Sequence, residues 1–308
     1  VDVAPPSPGS GDLLVDVAAA GVNFLDVYWR TGVYAVPFPH VAGSEGAGVV
    51  TAVGPEVAGF GVGDRVAWVN VPGSYTETQV VPAESAVRVP EGLDLTTAAA
   101  VALQGITAHF LVNSTYQVQS GESVLVHAAA GGVGLLLVQL ARSAGATVIG
   151  TVSTATKERR AYEAGANHVI RYQDVDNVAD EVRRLTDGVG VAVAFDGVGK
   201  DTFDVSLASL RRRGMLVLFG AASGQVPPVD PQRLNRGGSL YLTRPTIGDY
   251  IADRAELLWR ADEVFGAVLA GRLVVTIAES LPLEKAADAH RALEGRRTIG
   301  KVVLTPSG

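Results

Sequence analysis

The stretch from Ser123 to Ser153 constrains the fold more than any other part of the chain. Apolar residues 124–126 predict a short buried strand, and the run 135–141 predicts a helix that ends at Gly145. Between them lies Ala-Ala-Gly-Gly-Val-Gly at 129–134, and a second predicted strand follows the helix. This order is typical of a dinucleotide-binding βαβ unit, in which glycines let the backbone approach a pyrophosphate at the helix N-terminus.

Composition limits the classes of protein that remain. A length of 308 residues suits two domains, and a net charge of −7 argues against nucleic-acid or anionic-membrane partners. The longest basic run, Arg211–Arg213, is predicted to be a solvated helix end. The absence of cysteine excludes disulfides and Cys-ligated zinc. We see no apolar stretch of membrane-spanning length and no signal pattern, so we expect a cytoplasmic protein.

Strands and helices alternate beyond the opening unit as far as residue 243. Helices are predicted at 155–164, 177–185 and 201–210, and strands at 168–171, 191–195, 215–219 and 239–243. Alternation of this kind predicts a parallel sheet with helical crossovers, which is an α/β fold.

The flanking segments differ in kind. Short apolar runs between glycines and prolines predict a β-rich domain over residues 13–90, followed by a helix over 96–116. A helix over 257–269, strands at 274–278 and 299–304 and a helix at 284–294 are too few for a domain, so we expect them to complete the first one. The expected limits are 1–104 for the β-rich domain, 105–243 for the nucleotide-binding domain and 244–308 for the return segment.

Three signatures together resemble the medium-chain dehydrogenase/reductase superfamily, and within it the zinc-free, zeta-crystallin-like quinone oxidoreductases. They are Gly-Val-Asn-Phe-Leu-Asp-Val-Tyr at 21–28, Gly-Ser-Glu-Gly-Ala-Gly at 43–48 and the glycine turn at 129–134. The resemblance implies a GroES-like catalytic domain, a Rossmann doubly wound parallel sheet of order 3-2-1-4-5-6, and a cofactor cleft between them. Family members carry a further strand before the Pro-rich loop at residues 1–11, so we expect this chain to lack that strand.

Zinc alcohol dehydrogenases of this superfamily hold their metal through a cysteine in the first signature and a histidine in the second. Asn23 and Ser44 stand at those positions here. Glu45 alone is a poor zinc site, because zinc favours thiolate and imidazole donors. We therefore predict no metal, and we expect the five histidines to be surface residues or hydrogen-bonded core residues.

The residues after the second strand of the βαβ unit bear on the choice of cofactor. NAD-binding domains place an acid there against the ribose hydroxyls, whereas this chain has Thr-Val-Ser-Thr-Ala-Thr-Lys at 151–157. Lys157 would bond a 2′-phosphate, so we predict NADPH; the alternative is that Lys157 is only a surface residue of a helix's first turn. The cofactor-binding residues implied by the resemblance are Asn23, Thr107, Ala130, Gly131, Gly132, Val133, Gly134, Ser153, Lys157, Tyr172, Val198, Phe219, Gly220 and Arg244.

Without metal or cysteine, the chemistry expected is hydride delivery from the nicotinamide. The catalytic residues implied by the resemblance are Asn23, on the nicotinamide side, Asp26, Tyr28 and Tyr34, with the tyrosines shaping a pocket for a flat carbonyl acceptor. Two structural alternatives stay open: ordinary packing of the tyrosines, and an ion pair between Asp26 and Arg30. We expect the proton donor to be water or a tyrosine hydroxyl.

The function expected is NADPH-dependent quinone reduction. One alternative is reduction of a conjugated double bond in an enal, enone or enoyl thioester. Another is a non-catalytic crystallin-like or RNA-binding role, which the acidic charge disfavours. By resemblance we also expect a homodimer that pairs sheet edges through residues 238–243, because an apolar edge strand would otherwise be exposed.

Overall fold

The computed structural model describes residues 6–306. The chain divides into two compact units: the first runs through Ile106 and resumes at Tyr250, and the second spans Thr107–Asp249. The domain limits at 104/105 and 243/244 and the missing first strand stay predictions. Of the predicted loop at the start of the chain, residues 1–5 lie outside the described residues.

A seven-stranded sheet forms the frame of the first unit, with the order β12-β13-β1-β2-β3-β5 and β4 paired to β1. Its strands are β1 (Asp12–Val22), β2 (Glu45–Val53), β3 (Arg65–Val69), β4 (Thr78–Pro82), β5 (Ala86–Arg88), β12 (Ile277–Pro282) and β13 (Lys301–Thr305). Alternate residues of β1, including Leu13, Val15 and Val17, are buried around Trp68, as the period of a strand requires. The return segment therefore adds two strands to this sheet, with β13 paired to β1 and β12 paired to β13.

Four helices accompany this sheet: α1 (Phe24–Arg30), α2 (Leu95–Phe110), α9 (Arg254–Leu269) and α10 (Ala286–Glu294). A short 3₁₀ turn, Leu283–Lys285, precedes α10, and a π-helical turn, Leu111–Thr115, extends α2. The combined helix Leu95–Thr115 is long and apolar enough to cross a membrane, so the expectation that no such stretch exists was wrong. Its apolar window is 72% buried within the protein, which is the environment of a core helix.

The second unit is a six-stranded parallel sheet with the order β11-β10-β9-β6-β7-β8, which confirms the predicted order 3-2-1-4-5-6. Its strands are β6 (Ser123–Val126), β7 (Thr147–Val152), β8 (His168–Arg171), β9 (Val191–Asp196), β10 (Leu210–Leu218) and β11 (Tyr241–Thr243). Its helices are α3 (Gly132–Ser143), α4 (Ala155–Glu163), α5 (Val178–Leu185), α6 (Phe203–Ser209), α7 (Gln232–Arg236) and α8 (Ile247–Tyr250), whose last residue belongs to the first unit. Leu125, Ile149 and Ala194 lie at the centre of its core.

Two local predictions were wrong. Arg211–Arg213 lies in β10 and not at a helix end, and Arg211 forms an ion pair with Glu122 at 2.6 Å. The strand predicted at 274–278 begins only at Ile277, and Val274 is exposed. Arg211–Arg213 lies in the irregular stretch of β10 between Leu210 and Met215, both of which pair with β9. For the second prediction the local pattern was outweighed by pairing with the distant strand β13, a pairing that begins at Ile277.

Candidate active site

The first signature forms the end of β1 and the short helix α1, and Asn23 is the residue between them. Asp26 accepts a hydrogen bond from the Asn23 backbone N–H at 2.8 Å, which closes the first turn of the helix. Tyr28 lies on the same helix and is buried, whereas Tyr34 is 40% exposed. Their rings meet edge to face with centroids 5.5 Å apart. The structure thus brings all four predicted catalytic residues into one segment.

The Asn23 side chain is held by a buried ion pair. Its Oδ1 accepts from Lys301 Nζ at 2.8 Å, and its Nδ2 donates to Glu45 Oε1 at 2.8 Å. Lys301 Nζ also donates directly to Glu45 Oε1, and Glu45 Oε2 accepts from the Leu103 backbone N–H at 2.6 Å. Because an ammonium group cannot accept and a carboxylate cannot donate, these partners fix which end of the amide is which. The side-chain amide of Asn23 is therefore held in a single orientation.

Gly21 leaves the space that this ion pair occupies. A Cβ at position 21 would lie 2.0 Å from Glu45 Oε1. The glycine of the first signature and the glutamate of the second are therefore matched, which explains why the two motifs occur together in this chain.

Asp26 is at the centre of a second buried network. Its Oδ1 accepts from Ser44 Oγ at 2.8 Å and its Oδ2 accepts from Tyr75 Oη at 2.9 Å. Tyr75 Oη in turn lies 3.2 Å from His290 Nε2. The predicted alternative, an ion pair between Asp26 and Arg30, was wrong, because Arg30 pairs with Glu294 at 2.7 Å.

Burial sets the protonation of this network. Desolvation raises the pKa of Asp26 to about 6, against the lowering effects of its hydrogen bonds from Asn23, Ser44 and Tyr75 and of the Lys301 charge. Burial and the adjacent Asp26 raise the pKa of Tyr75 well above its usual range. Burial and the nearby Arg30 lower the pKa of His290, although Glu294 opposes them. The network therefore contains a carboxyl group that titrates near neutral pH.

In the second unit the predicted cofactor residues lie at the carboxyl ends of the parallel strands. With the exception of Thr107, which is buried in α2, all of them follow the carboxyl end of a strand, where α/β sheets bind their ligands. Ala130, Gly131, Gly132, Val133 and Gly134 follow β6, Ser153 and Lys157 follow β7, Tyr172 follows β8, Val198 follows β9, Phe219 and Gly220 follow β10 and Arg244 follows β11. Asn23 lies in the other unit.

The glycine turn forms the N-terminus of α3. Gly131 is the N-cap residue and supplies no side chain to the first N–H groups of the helix, which suits a phosphate at that position. A Cβ at Gly134 would lie 2.2 Å from the Ala128 carbonyl oxygen, so only glycine permits this close approach of turn and helix.

The end of β7 contains the residues expected at a 2′-phosphate. Thr154 caps α4 by accepting from the Lys157 N–H at 3.3 Å, so Lys157 lies in the first turn. The Tyr172 N–H donates to the Val152 carbonyl at 3.1 Å, which brings Tyr172 beside Ser153. The nearest acid in sequence, Glu158, pairs with Arg171 at 3.2 Å. The carboxyl end of β7 therefore has a lysine, Lys157, and the hydroxyl groups of Ser153 and Tyr172 near it.

Two histidines depart from expectation. His127 and His40 each have a buried Nε2 without a hydrogen-bond partner, so the expectation that all histidines are exposed or satisfied was wrong. His127 Nδ1 lies 2.9 Å from Thr151 Oγ1, and burial lowers its pKa, which keeps the ring neutral.

The residues at the metal position of zinc relatives do not fit zinc. The Glu45 carboxylate already holds the Lys301 ammonium, the Asn23 amide is engaged at both ends, and the Ser44 hydroxyl donates to Asp26. A zinc ion there would have to displace a buried cation and bind without thiolate or imidazole donors. Within residues 6–306 no three His, Cys, Asp or Glu side chains come together as metal ligands.

Comparison with known proteins agrees with this architecture. The family model described as an alcohol dehydrogenase GroES-like domain matches residues 9–91, and the one described as a zinc-binding dehydrogenase matches residues 132–257. Quinone oxidoreductase of Pseudomonas aeruginosa is 46% identical over 99% of this chain and 94% of that relative. A 2-haloacrylate reductase of a Burkholderia species is 44% identical over 97% of this chain and 92% of that relative. The structure of Escherichia coli quinone oxidoreductase complexed with NADPH is 40% identical, with a TM-score of 0.97, and the match covers 99% of this chain and 95% of that one.

A GroES-like unit together with a Rossmann unit of this strand order defines the medium-chain dehydrogenase/reductase class of oxidoreductases. Within that class the chain belongs to the zinc-free quinone oxidoreductase family. It is therefore an oxidoreductase, and the non-catalytic alternative is set aside.

The sequence did not indicate three residues of the two buried networks around Asn23 and Asp26: Tyr75, His290 and Lys301. Lys301 carried a usable signal, since a lysine at the start of the apolar strand Lys-Val-Val-Leu-Thr must find a buried partner. His290 lies on the buried face of α10 and Tyr75 lies in a loop before β4, and neither pattern differs from ordinary packing.

Proposed function

We propose that this protein is an NADPH-dependent reductase of quinones or similar flat carbonyl acceptors that works without a metal. The observation that carries the proposal is the acid-free end of β7, where Ser153, Lys157 and Tyr172 lie together. The NADPH complex of the Escherichia coli relative supports it. When bound, NADPH supplies the hydride for the reduction, and the chain supplies position, charge and a proton.

Every predicted site residue except Asp26 receives a role under this proposal. The backbone at Gly131, Gly132, Val133 and Gly134 holds the pyrophosphate, and Lys157 holds the 2′-phosphate with Ser153 and Tyr172. Ala130, Val198, Phe219, Gly220, Thr107 and Arg244 line the rest of the dinucleotide. Asn23 serves the nicotinamide side as an amide fixed by Lys301 and Glu45, and Tyr28 and Tyr34 contact the acceptor.

Lys157→Ala tests the choice of cofactor. A charge-assisted hydrogen bond contributes about 1.5 to 3 kcal/mol, so the ratio of kcat/KM for NADPH over that for NADH should fall about ten- to a hundredfold. Steady-state kinetics with both cofactors measures the ratio. Lys200→Ala, which changes an exposed lysine elsewhere in the second unit, is the matched control and should leave the ratio unchanged. An unchanged ratio in Lys157→Ala would contradict the assignment.

A second candidate function is the reduction of a conjugated carbon–carbon double bond. The 2-haloacrylate reductase relative favours it, because an acrylate is a conjugated alkene. An NADPH-oxidation screen over benzoquinones, naphthoquinones, enals and enoyl thioesters ranks the two candidates by kcat/KM.

We also propose a cytoplasmic homodimer. The strand β11 is at the edge of its sheet, and its Tyr241 is 56% exposed, which leaves an edge suited to pairing with a second copy. Light scattering should give twice the chain mass, and Leu242→Lys, which puts a charge on this strand, should shift the mass toward that of one chain.

A further inference from the structure

A continuous chain of hydrogen bonds crosses the first unit from Ser44 to His290. The steps are 2.8 Å from Ser44 Oγ to Asp26, 2.9 Å from Asp26 to Tyr75 Oη, and 3.2 Å from Tyr75 Oη to His290 Nε2. Asp26 lies in α1 with Tyr28, which the proposed function places at the acceptor, and both Asp26 and Ser44 are buried. Each step is short enough for a proton to move along the bond.

The partners determine how the protons are arranged. Tyr75 donates its one phenolic proton to Asp26 Oδ2, an oxygen that can accept it both when Asp26 is ionised and when Asp26 carries its own proton on Oδ1. Tyr75 Oη must then accept from His290, which makes Nε2 the protonated nitrogen of that ring. Because burial keeps His290 neutral, its Nδ1 is left as an acceptor. The chain of donors therefore runs in one direction, from His290 to Asp26.

The two ends face different charges. At the inner end Asp26 faces the Lys301 ammonium, and Tyr75 also faces the Glu45 carboxylate. At the outer end His290, on α10, faces Arg30 of α1 and Glu294 of its own helix. Arg30 and Glu294 form an exposed ion pair at 2.7 Å. The outer end of the chain is therefore beside groups that water reaches.

We propose that Asp26, Tyr75 and His290 supply the proton that the reduction consumes, with Ser44 as the outlet toward the acceptor. This inference rests on the proposed function. Hydride addition leaves the acceptor as an oxyanion that is one proton short. When Asp26 is protonated on Oδ1, the bond that Ser44 donates to the ionised group is reversed, and Asp26 donates to Ser44 Oγ. The Asp26 proton then passes to Ser44 Oγ as the Ser44 proton passes to the acceptor, forming its new O–H bond. Ser44 is fully buried in the ligand-free protein, so this step requires the acceptor to displace the groups that cover the Ser44 hydroxyl.

The same chain then restores Asp26. Tyr75 gives its phenolic proton to the carboxylate and takes the Nε2 proton of His290, while Nδ1 of the ring takes a proton from water. Exchange with water and rotation of the hydroxyl groups return the ring to its first tautomer. One proton from water is consumed in each turnover, and the relay itself is neither oxidised nor reduced.

A purely structural network would predict a different set of effects. Tyr75 packs against a small core that contains Val22, Ala289 and Val302, so the hydrogen bonds also tie α1 to α10. A structural tie would lower stability when removed but would leave proton transfer unaffected. The experiments therefore measure proton transfer directly.

Tyr75→Phe removes one hydroxyl group and keeps the ring. Positioned proton transfer contributes about 10² to 10⁴ in rate, and loss of one relay step should lower kcat about tenfold or more, with KM for NADPH unchanged. The solvent deuterium isotope effect on kcat should rise because proton delivery becomes slow. The matched control is Tyr116→Phe, since Tyr116 Oη also donates to a carboxylate, Glu122, at 3.0 Å but lies in the second unit. Tyr116→Phe should change neither kcat nor the solvent deuterium isotope effect.

A readout on the ligand-free protein separates this inference from the proposed function. The Tyr75 hydrogen bond lowers the pKa of Asp26, so carbon-13 NMR of the Asp carboxyl groups should show a group titrating near pH 6 that moves upward in Tyr75→Phe. Nitrogen-15 NMR should show the proton of His290 on Nε2. Absence of either signal overturns the relay, whatever the enzyme reduces.

His290→Ala gives the final test through chemical rescue. The variant should turn over slowly, and added imidazole should restore kcat in proportion to its concentration. The double variant Tyr75→Phe/His290→Ala should not respond, because the step between imidazole and Asp26 is missing. If Tyr75→Phe keeps wild-type kcat and isotope effect, or if imidazole rescues neither variant, the relay is wrong while quinone reduction by the wild type still stands. If none of the acceptors tested supports NADPH oxidation by the wild type, the proposed function fails instead.

Discussion

Among residues 6–306, each unit buries one aspartate almost completely, and the two aspartates differ in where their hydrogen-bond partners come from. Asp196, at the end of β9, accepts from the backbone N–H groups of Val198 and Gly199 at 2.8 and 3.0 Å and from the hydroxyl groups of Thr202 and Ser206. All of these lie within ten residues of it. Asp26 accepts from one local N–H, and its hydroxyl partners lie 18 and 49 residues away.

The difference separates a structural acid from a reactive one. A buried carboxylate that accepts many hydrogen bonds is compensated for its lost hydration, and the partners of Asp196 all belong to the loop that follows β9. Asp26 has fewer donors and no cation within hydrogen-bond distance among its described partners, so burial raises its pKa to about 6. The same residue type therefore fastens a loop in one unit and has a pKa raised to about 6 in the other.

The largest expected effect comes from removing the only cation in the network around Asn23. Lys301→Met keeps the aliphatic stem but leaves the Glu45 carboxylate buried without its partner, which should lower the free energy of unfolding by about 3 to 5 kcal/mol. All three tryptophans, Trp29, Trp68 and Trp259, lie in the first unit, so tryptophan fluorescence during urea unfolding reports on that unit.

The controls for this substitution are close at hand. Lys285→Met removes an exposed lysine of the same unit and should have little effect. Glu45→Gln combined with Lys301→Met removes both charges and should recover most of the lost stability. A loss in the double variant equal to that in Lys301→Met would show that the buried charge is not the cause.

A smaller effect with a definite pH dependence is expected for Asp26→Asn. The folded-state pKa of Asp26 is raised from 3.8 to about 6, so its protonation stabilises the folded state, and wild-type stability is lost as pH rises through that value. Asparagine does not titrate. As the pH rises from about 4 to about 8, the unfolding free energy of the wild type should therefore fall by about 3 kcal/mol relative to that of Asp26→Asn. Tryptophan fluorescence at each pH gives the two curves.

Asp196→Asn sharpens the contrast by making the same chemical change in the other unit. The new NH₂ group would face donors where the carboxylate now accepts, so stability should fall by about 1 to 3 kcal/mol. Because all three tryptophans lie in the first unit, unfolding of this variant is followed by far-UV circular dichroism, which sums the helices of both units. Parallel pH curves for Asp26→Asn and wild type would show that Asp26 does not titrate in the folded protein near pH 6, and a stabilised Asp196→Asn would remove the contrast.

The sequence predicts the second unit, which depends on neighbouring residues, better than the network in the first unit, which depends on residues far apart in the chain. The parallel sheet, its glycine turn and most of its helices were predicted correctly because each depends on periodicity within about 15 residues. Asn23 and Asp26 were found by their signature. Lys301 was not found, because the antiparallel register of β1 and β13, which pairs Val22 with Val302, is what brings Lys301 to Asn23. No local pattern specifies a pairing across nearly the whole chain.

That register also sets the order in which the molecule can be completed. β13 lies between β12 and β1 in the first sheet, yet it follows the entire second unit in the chain. A ribosome therefore finishes the dinucleotide-binding unit before it makes the strand that carries Lys301. Until then Glu45 and Asn23 lack their cation, and the edge of β1 that β13 will cover stays open. The unit that begins first in synthesis is therefore the last to acquire all of its strands, and the closure of its sheet depends on contacts between residues far apart in the chain.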